Sequence, residues 1–212
     1  PGGMRYELKY VCDDLDPAYC HQIIRNHPSS FSTSFPDRRI NNIYLDSPLR
    51  QSFLQNVNGV ANRIKYRIRW YGNSWDLIQG AQLEFKIKQN HLGDKRRVEL
   101  PDFKLGDLPA LIAENRTSWG LEDGVYPVSK NSYHRSYYED FTNQFRITID
   151  SEIHFGLFME VFNEPATPFS STIIELKYSQ GLKQQADFVQ QYLPWRRTKF
   201  SKYVEGLIVA QG

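Results

Sequence analysis

The stretch Arg63-Ile64-Lys65-Tyr66-Arg67-Ile68-Arg69-Trp70 alternates strictly between cationic and apolar side chains. Successive side chains of an extended chain point to opposite faces, so Lys65, Arg67 and Arg69 share one face. Ile64, Tyr66, Ile68 and Trp70 share the other. At about 3.3 Å rise per residue the like charges stand roughly 7 Å apart along that face. Something elsewhere in the chain has to compensate them.

Bulk composition narrows the search. A chain of 212 residues with 40% hydrophobic and 14% aromatic content has ample material for a core and is not disordered. The formal net charge is only +2, so an anion site has to come from local clustering. Cys12 and Cys20 show neither framework spacing nor a nearby His/Cys group, and read as free thiols in a reducing compartment. No apolar run approaches the roughly 20 residues of a membrane-spanning helix. Pro1-Gly2-Gly3 reads as an added remnant and Met4 as the natural start, with residues 4–210 forming one cytoplasmic domain.

Outward from the opening stretch, residues 4–12 alternate Arg5, Glu7 and Lys9 against Tyr6, Leu8 and Tyr10. Asp16-Pro17 is a capped helix start, and the helix runs to about Asn26. Residues 39–46 form the next strand. Ser47-Pro48 repeats the cap-plus-proline device before a short helix. After the 62–71 strand, Glu84, Lys86 and Lys88 alternate with Leu83, Phe85 and Ile87 over residues 81–89. A loop through His91-Leu92-Gly93-Asp94 leads to a strand over 95–100, and a helix covers 105–119. Strands follow over 131–141, 144–152, 157–162 and 172–178, then helices over 183–193 and, capped by Ser201, over 202–210. Many short strands at hairpin spacing with few helices predict a closed or nearly closed antiparallel barrel in an α+β, mainly β fold.

The ordinary reading puts the charged faces in water and the apolar faces in the core. Two features oppose it. Lys65, Arg67, Arg69, Lys86, Lys88, Lys95 and Arg97 gather one sign on consecutive strands, and like charges directly across a sheet destabilise it. The amphipathic helices also need an apolar sheet face to cover. Helices outside would turn the charges into a lumen, which is tolerable only if wet and occupied by a polyanion. Arginine forks and lysine point charges suit a chain of phosphates. Nucleic acid fits less well, because Tyr66, Trp70 and Phe85 fall on the opposite face rather than among the cations.

Six segments together resemble the VTC-type polyphosphate polymerase domain. They are Arg5-Tyr6-Glu7-Leu8-Lys9-Tyr10, Asn42-Ile43-Tyr44-Leu45-Asp46, Lys65-Tyr66-Arg67-Ile68-Arg69-Trp70-Tyr71-Gly72, Leu83-Glu84-Phe85-Lys86-Ile87-Lys88, Ile174-Glu175-Leu176-Lys177-Tyr178 and Lys199-Phe200-Ser201-Lys202-Tyr203-Val204-Glu205-Gly206. The resemblance covers nearly the whole chain. It implies the CYTH-like superfamily of triphosphate tunnel metalloenzymes: an antiparallel eight-stranded tunnel barrel with helices packed on the outside. The implied reaction moves the terminal phosphoryl group of ATP onto a growing polyphosphate chain, with Mn²⁺ or Mg²⁺. Alternatives on the same site are a metal-dependent tripolyphosphatase or nucleoside triphosphatase, and a polyphosphate-binding module without turnover. Eukaryotic members carry a regulatory domain and membrane helices absent from this chain, so it resembles a stand-alone bacterial-type version.

Matching positions carry the family's catalytic roles to Lys9, Arg67, Arg69, Lys86 and Glu175. Further phosphate contacts fall on Arg135, Arg146 and Lys202, and on Lys95 or Arg97 within Lys95-Arg96-Arg97. Glu175 is the implied metal ligand, and Glu7 would join it. Related hydrolases open with two alternate glutamates before the lysine, whereas this chain has Arg5 and Glu7. Duller roles compete. Glu175 would pair with Lys177 or a neighbouring arginine, and Asp150 and Glu84 would be internal salt-bridge partners. His91 would be a surface residue, His134 would face away from the cations, and Tyr44 and Tyr137 would either bind phosphate or pack. Lys65 has no family position to inherit.

Overall fold

The alternation of the opening stretch is realised as β3 (Arg63–Tyr71), which is antiparallel on both sides to its neighbours. The computed structural model describes residues 5–13, 15–60, 63–89, 92–158 and 163–210. His91 and most of the strand expected over 157–162 lie outside these residues. Ahead of β3 come β1 (Arg5–Cys12), α1 (Pro17–Arg25), β2 (Ser32–Asp46) and α2 (Gln51–Val57). After it come β4 (Leu77–Ile78), β5 (Gln82–Gln89), β6 (Leu92–Glu99), β7 (Phe103–Lys104) and α3 (Leu108–Trp119). The chain continues with β8 (Tyr126–Glu139), β9 (Arg146–Leu157), β10 (Thr167–Phe169), β11 (Thr172–Ser179), α4 (Lys183–Gln191) and α5 (Lys202–Val209).

The expected closed barrel does not form. The strand order is β1-β11-β9-β8-β2-β3-β5-β6, with β10 joined to β9, and the end strands are not paired with each other among the described residues. The reason lies at the two edges. The outer edge of β1 is taken by the chain after α4, where Tyr10 bridges Arg197 and the Thr198 amide donates to the Lys9 carbonyl at 2.9 Å. At the other end, β6 exposes Lys95, Arg97 and Glu99, charges of the kind that blunt an edge strand. The fold is a mixed α+β arrangement around an open sheet.

Two compact units can be distinguished. The first comprises Pro1–Arg38, Tyr133–Ile153 and Pro168–Phe200. Its core joins Leu8 and Tyr10 of β1, Ile147 and Ile149 of β9, and Ile174, Leu176 and Tyr178 of β11 to Ile24 of α1 and Val189 of α4. Helix α1 starts as predicted, with Asp16 Oδ1 accepting from the Ala18 amide at 2.8 Å. Cys12 and Cys20 are free and buried in this core.

The second unit comprises Arg39–Ser132, His154–Thr167 and Ser201–Gly212. Tyr66, Ile68 and Trp70 pack with Leu83 and Phe85 of β5 and with Leu108, Ile112 and Trp119 of α3. Each such side chain contributes about 1.5–3 kcal/mol on leaving water. Helix α3 closes on Gly120 at φ 72°, and the Leu121 amide reaches back to the Arg116 carbonyl at 3.0 Å. The cap of α2 differs from the prediction. Ser47 Oγ accepts from Gln51, but Asp46 takes the amides of Ser52 and Phe53 at 2.9 and 3.0 Å.

Not every helix covers the apolar face. Tyr203 and Leu207 of α5 pack against Tyr44, which stands opposite Arg67 on the charged face of the sheet. Helix α5 thus lies on the polar side, tied down by a Tyr203–Asp46 hydrogen bond. Gly206 permits the approach, since a Cβ there would stand 2.8 Å from Phe155 Cδ1. Segment boundaries also move. β2 begins at Ser32, and Leu92–Asp94 belong to β6 rather than to a loop.

Candidate functional site

Strand register assembles the cations of the second unit into cross-strand rows. Lys65 stands opposite Lys86, and Lys86 opposite Lys95. In the next row Tyr44, Arg67, Glu84 and Arg97 face one another in turn. Glu84 is only 3% exposed and anchors the group. Arg67 Nε donates to its Oε2 at 2.6 Å. Lys95 Nζ lies 2.6 Å and Arg97 Nε 3.4 Å from its Oε1. Burial alone would raise the Glu84 carboxyl, but Arg67, Arg69 and Lys95 outweigh it and hold the group at about 2. Burial, aided by Arg67 and Arg97, draws the Lys95 ammonium down to about 8 despite Glu84.

This geometry sets Arg96 apart from Lys95 and Arg97. Lys95 and Arg97 both turn to Glu84, whereas Arg96 donates to the Trp119 carbonyl at 2.9 Å and lies over the Phe85 ring. Arg69 Nε donates to Asn42 Oδ1 at 2.8 Å, and Asn42 in turn donates to Asn131 Oδ1 at 2.8 Å. The sequence reading gives these two asparagines no role, although Asn42 sits in phase with Tyr44 on the charged face. Asn131 carried no comparable signal. Lys86 is exposed, and Lys202 opens α5 half-buried. Ser201 precedes α5 but makes no side-chain cap; its Oγ accepts from Lys65 Nζ at 3.2 Å. Tyr44 packs on Tyr203 with ring centroids 5.1 Å apart.

The first unit gathers Lys9, Glu7, Arg135, Asp150, Glu175 and Lys177. Glu175 of β11 lies between Lys9 of β1 and Thr148 of β9. Its Oε1 is 3.8 Å from Lys9 Nζ, and its Oε2 is 3.3 Å from Lys177 Nζ and 3.8 Å from Arg135 Nη2. Lys9 also reaches Glu7 at 3.3 Å and donates to the Phe200 carbonyl at 3.1 Å. Arg135 grips Asp150 with both arms of its fork, at 2.6 and 2.7 Å. Burial would raise the Glu175 carboxyl, but Lys177, Lys9 and Arg135 hold it well below the usual carboxylate range. Arg146, opposite Lys177 in the register, is exposed and paired with Glu139 at 2.5 Å.

The duller roles of Glu84 and Asp150 as internal partners are therefore realised, and so is the Glu175–Lys177 pair. No group of three or more His, Cys, Asp or Glu suited to a metal occurs among the described residues. Glu7 and Glu175 nevertheless place two carboxyls together. One or two carboxylates completed by substrate phosphates is a donor set that Mg²⁺ accepts. The residues present fit a metal that arrives with its substrate.

A family model for the VTC domain matches residues 4–210. The chain belongs to the VTC domain family. A search of curated protein sequences found no match. Solved structures share the fold of this VTC domain. One is a Vibrio parahaemolyticus protein described as a putative adenylate cyclase, 16% identical, covering 98% of this chain and 99% of its own, with a TM-score of 0.55. A Pyrococcus horikoshii protein is 13% identical, covering 96% of this chain and 98% of its own, at 0.52. A Hippeastrum protein, described as a putative adenylyl cyclase with a dominant triphosphatase activity, is 13% identical, covering 97% of each chain, at 0.51. No helix among the described residues of the VTC domain is long and apolar enough to cross a membrane.

Proposed function

We propose that this VTC domain is a metal-dependent phosphohydrolase that removes the terminal phosphate of inorganic tripolyphosphate or a nucleoside triphosphate. The observation that carries the reading is Glu175, buried and ionised beside Glu7 and ringed by Lys9, Lys177 and Arg135. The triphosphatase activity described for the Hippeastrum protein of the same fold supports hydrolysis. Residues 4–210 would act as one functional domain.

Phosphoryl transfer needs positioning and neutralisation of charge more than covalent help from the protein. Arg67, Arg69, Lys86, Lys95, Arg97 and Lys202 of the second unit would hold phosphate oxygens, with Glu84 keeping the Arg67 fork and the Lys95 ammonium aimed. Lys9, Arg135 and Arg146 of the first unit would do the same there. Glu175 with Glu7 would hold Mn²⁺ or Mg²⁺, which as a Lewis acid polarises a phosphoryl oxygen. Because phosphate oxygens can replace carboxylates as partners of the cations, binding exchanges internal ion pairs for ligand ones.

A second reading, transfer of the phosphoryl group to a growing polyphosphate, is favoured by the VTC match itself and by Arg5, which stands where related hydrolases carry a glutamate. Incubation with ATP or tripolyphosphate and Mn²⁺, followed by phosphorus NMR and a chain-length gel, separates them. Free phosphate without longer chains is the expected result. Lengthening chains would replace hydrolysis by polymerisation, and tight binding without either product would leave a binding module.

A further inference from the structure

We propose that Phe35, Tyr137 and Arg38 form a stacking site for a nucleobase, so that the substrate of the first unit is a nucleoside triphosphate. The proposal rests on the triphosphate reading above and extends it to the other end of the substrate.

Phe35 is 46% exposed, in a part of β2 where residues 32–37 are all exposed. Its ring is nevertheless held in place. It meets the Tyr137 ring edge-on, with centroids 5.6 Å apart and planes at 71°. The Arg38 guanidinium lies 4.2 Å from the Phe35 centroid and 5.0 Å from that of Tyr137, and donates to the Tyr137 hydroxyl at 3.0 Å. That hydrogen bond braces Tyr137 against Arg38. A flat aromatic surface fixed by a cation and a second ring loses little freedom when a base settles on it, which is what makes a preformed site effective.

Placement supplies the second argument. Tyr137 follows Arg135 by two residues on β8, so both side chains leave the same face, roughly 7 Å apart along the strand. The intervening alternation is confirmed by Tyr138, which turns the other way into the apolar core. Arg135 is the guanidinium shared by Asp150 and Glu175. A nucleotide whose phosphates engage that charged cluster would carry its base toward Phe35, with the ribose bridging the gap. Ring faces do not distinguish one base from another, so stacking of this kind tolerates any base.

The test compares a ligand that has a base with one that has none. Binding of ATP and of inorganic tripolyphosphate is measured by calorimetry for the natural chain, Phe35→Ala, Phe35→Leu and Phe35→Trp, each checked by thermal melting. Loss of one stacking contact should weaken ATP about tenfold in the Ala and Leu variants. Tripolyphosphate affinity should stay within about twofold, and Trp should retain ATP. Equal loss on both ligands, or no loss on ATP in a folded variant, overturns the stacking site while leaving the triphosphate reading in place. A natural chain that binds neither ligand overturns both.

Discussion

Glu84 and Glu175 are both buried carboxylates in mid-strand, each contacted by three cations, yet their surroundings differ in kind. Around Glu84 the same face adds Arg69, Lys86 and Lys65, with Glu99 closing the Arg69 row, so cations outnumber acids in the rows. Around Glu175 stand Glu7 and Asp150, and the charges come close to balance. A cationic surplus awaits an anion, whereas a balanced cluster with adjacent carboxyls can accept a metal without a large excess of either sign. Burial is alike in the two regions; the tally of neighbours is what separates an anchor from a candidate ligand.

The largest expected effect tests the Glu175 side. Glu175→Ala should lower metal-dependent phosphate release by about a hundredfold or more, a loss typical of removing one charge-stabilising group. Binding of tripolyphosphate without metal should persist; full turnover in the variant would remove the proposed metal role. Glu84→Gln should act mainly on stability. Removing one partner of a buried ion pair costs about 3–5 kcal/mol, and here roughly 2–3 because Arg67 and Lys95 are partly wet. Urea titration measures it, and an unchanged midpoint would dissolve the contrast between the two carboxylates.

Two smaller effects sharpen it. The Glu84 carboxyl is depressed in the folded state, so its contribution is present above the ordinary carboxylate value of 4.5 and is lost as pH falls toward about 2. Acid unfolding of Glu84→Gln should lack that part of the pH dependence. Lys95 has the opposite sense: it sheds its proton near pH 8 in the folded chain, so phosphate binding should weaken above about pH 8. Lys95→Arg should bind evenly across that range, and a persistent alkaline loss would assign it to another group. Smallest of all, Lys65→Ala should weaken tripolyphosphate by about twofold to threefold, since it ends the Lys65–Lys86–Lys95 row with Ser201 as a neutral partner.

Much of this was legible in the sequence because strand periodicity is local. The opposite faces of Arg67 and Tyr66, the in-phase placement of Glu84, and the role of Asp150 as an internal salt-bridge partner follow from alternation and the need to compensate buried charge. What failed was non-local. Whether β1 and β6 meet depends on a rival for the β1 edge, and that rival, Arg197–Thr198, lies far along the chain. Helix α5 has an amphipathic pattern that does not say which sheet face it covers, and the Tyr203–Asp46 bond decides it. The early part of β2 was missed because Ser32–Asp37 lacks alternation and contains Pro36. Arg38 escaped notice for the same reason, and with it its hydrogen bond to Tyr137.

The edge position of β6 gives its cations a second consequence, a colloidal one. Lys95 and Arg97 stand on the last strand of the sheet, beside a row of backbone donors and acceptors that no further strand takes up among the described residues. Their mutual repulsion between copies discourages strand-to-strand association. Stripping both charges to probe ligand binding would therefore create an adhesive margin, and light scattering of the double variant should rise with concentration where that of Lys65→Ala does not.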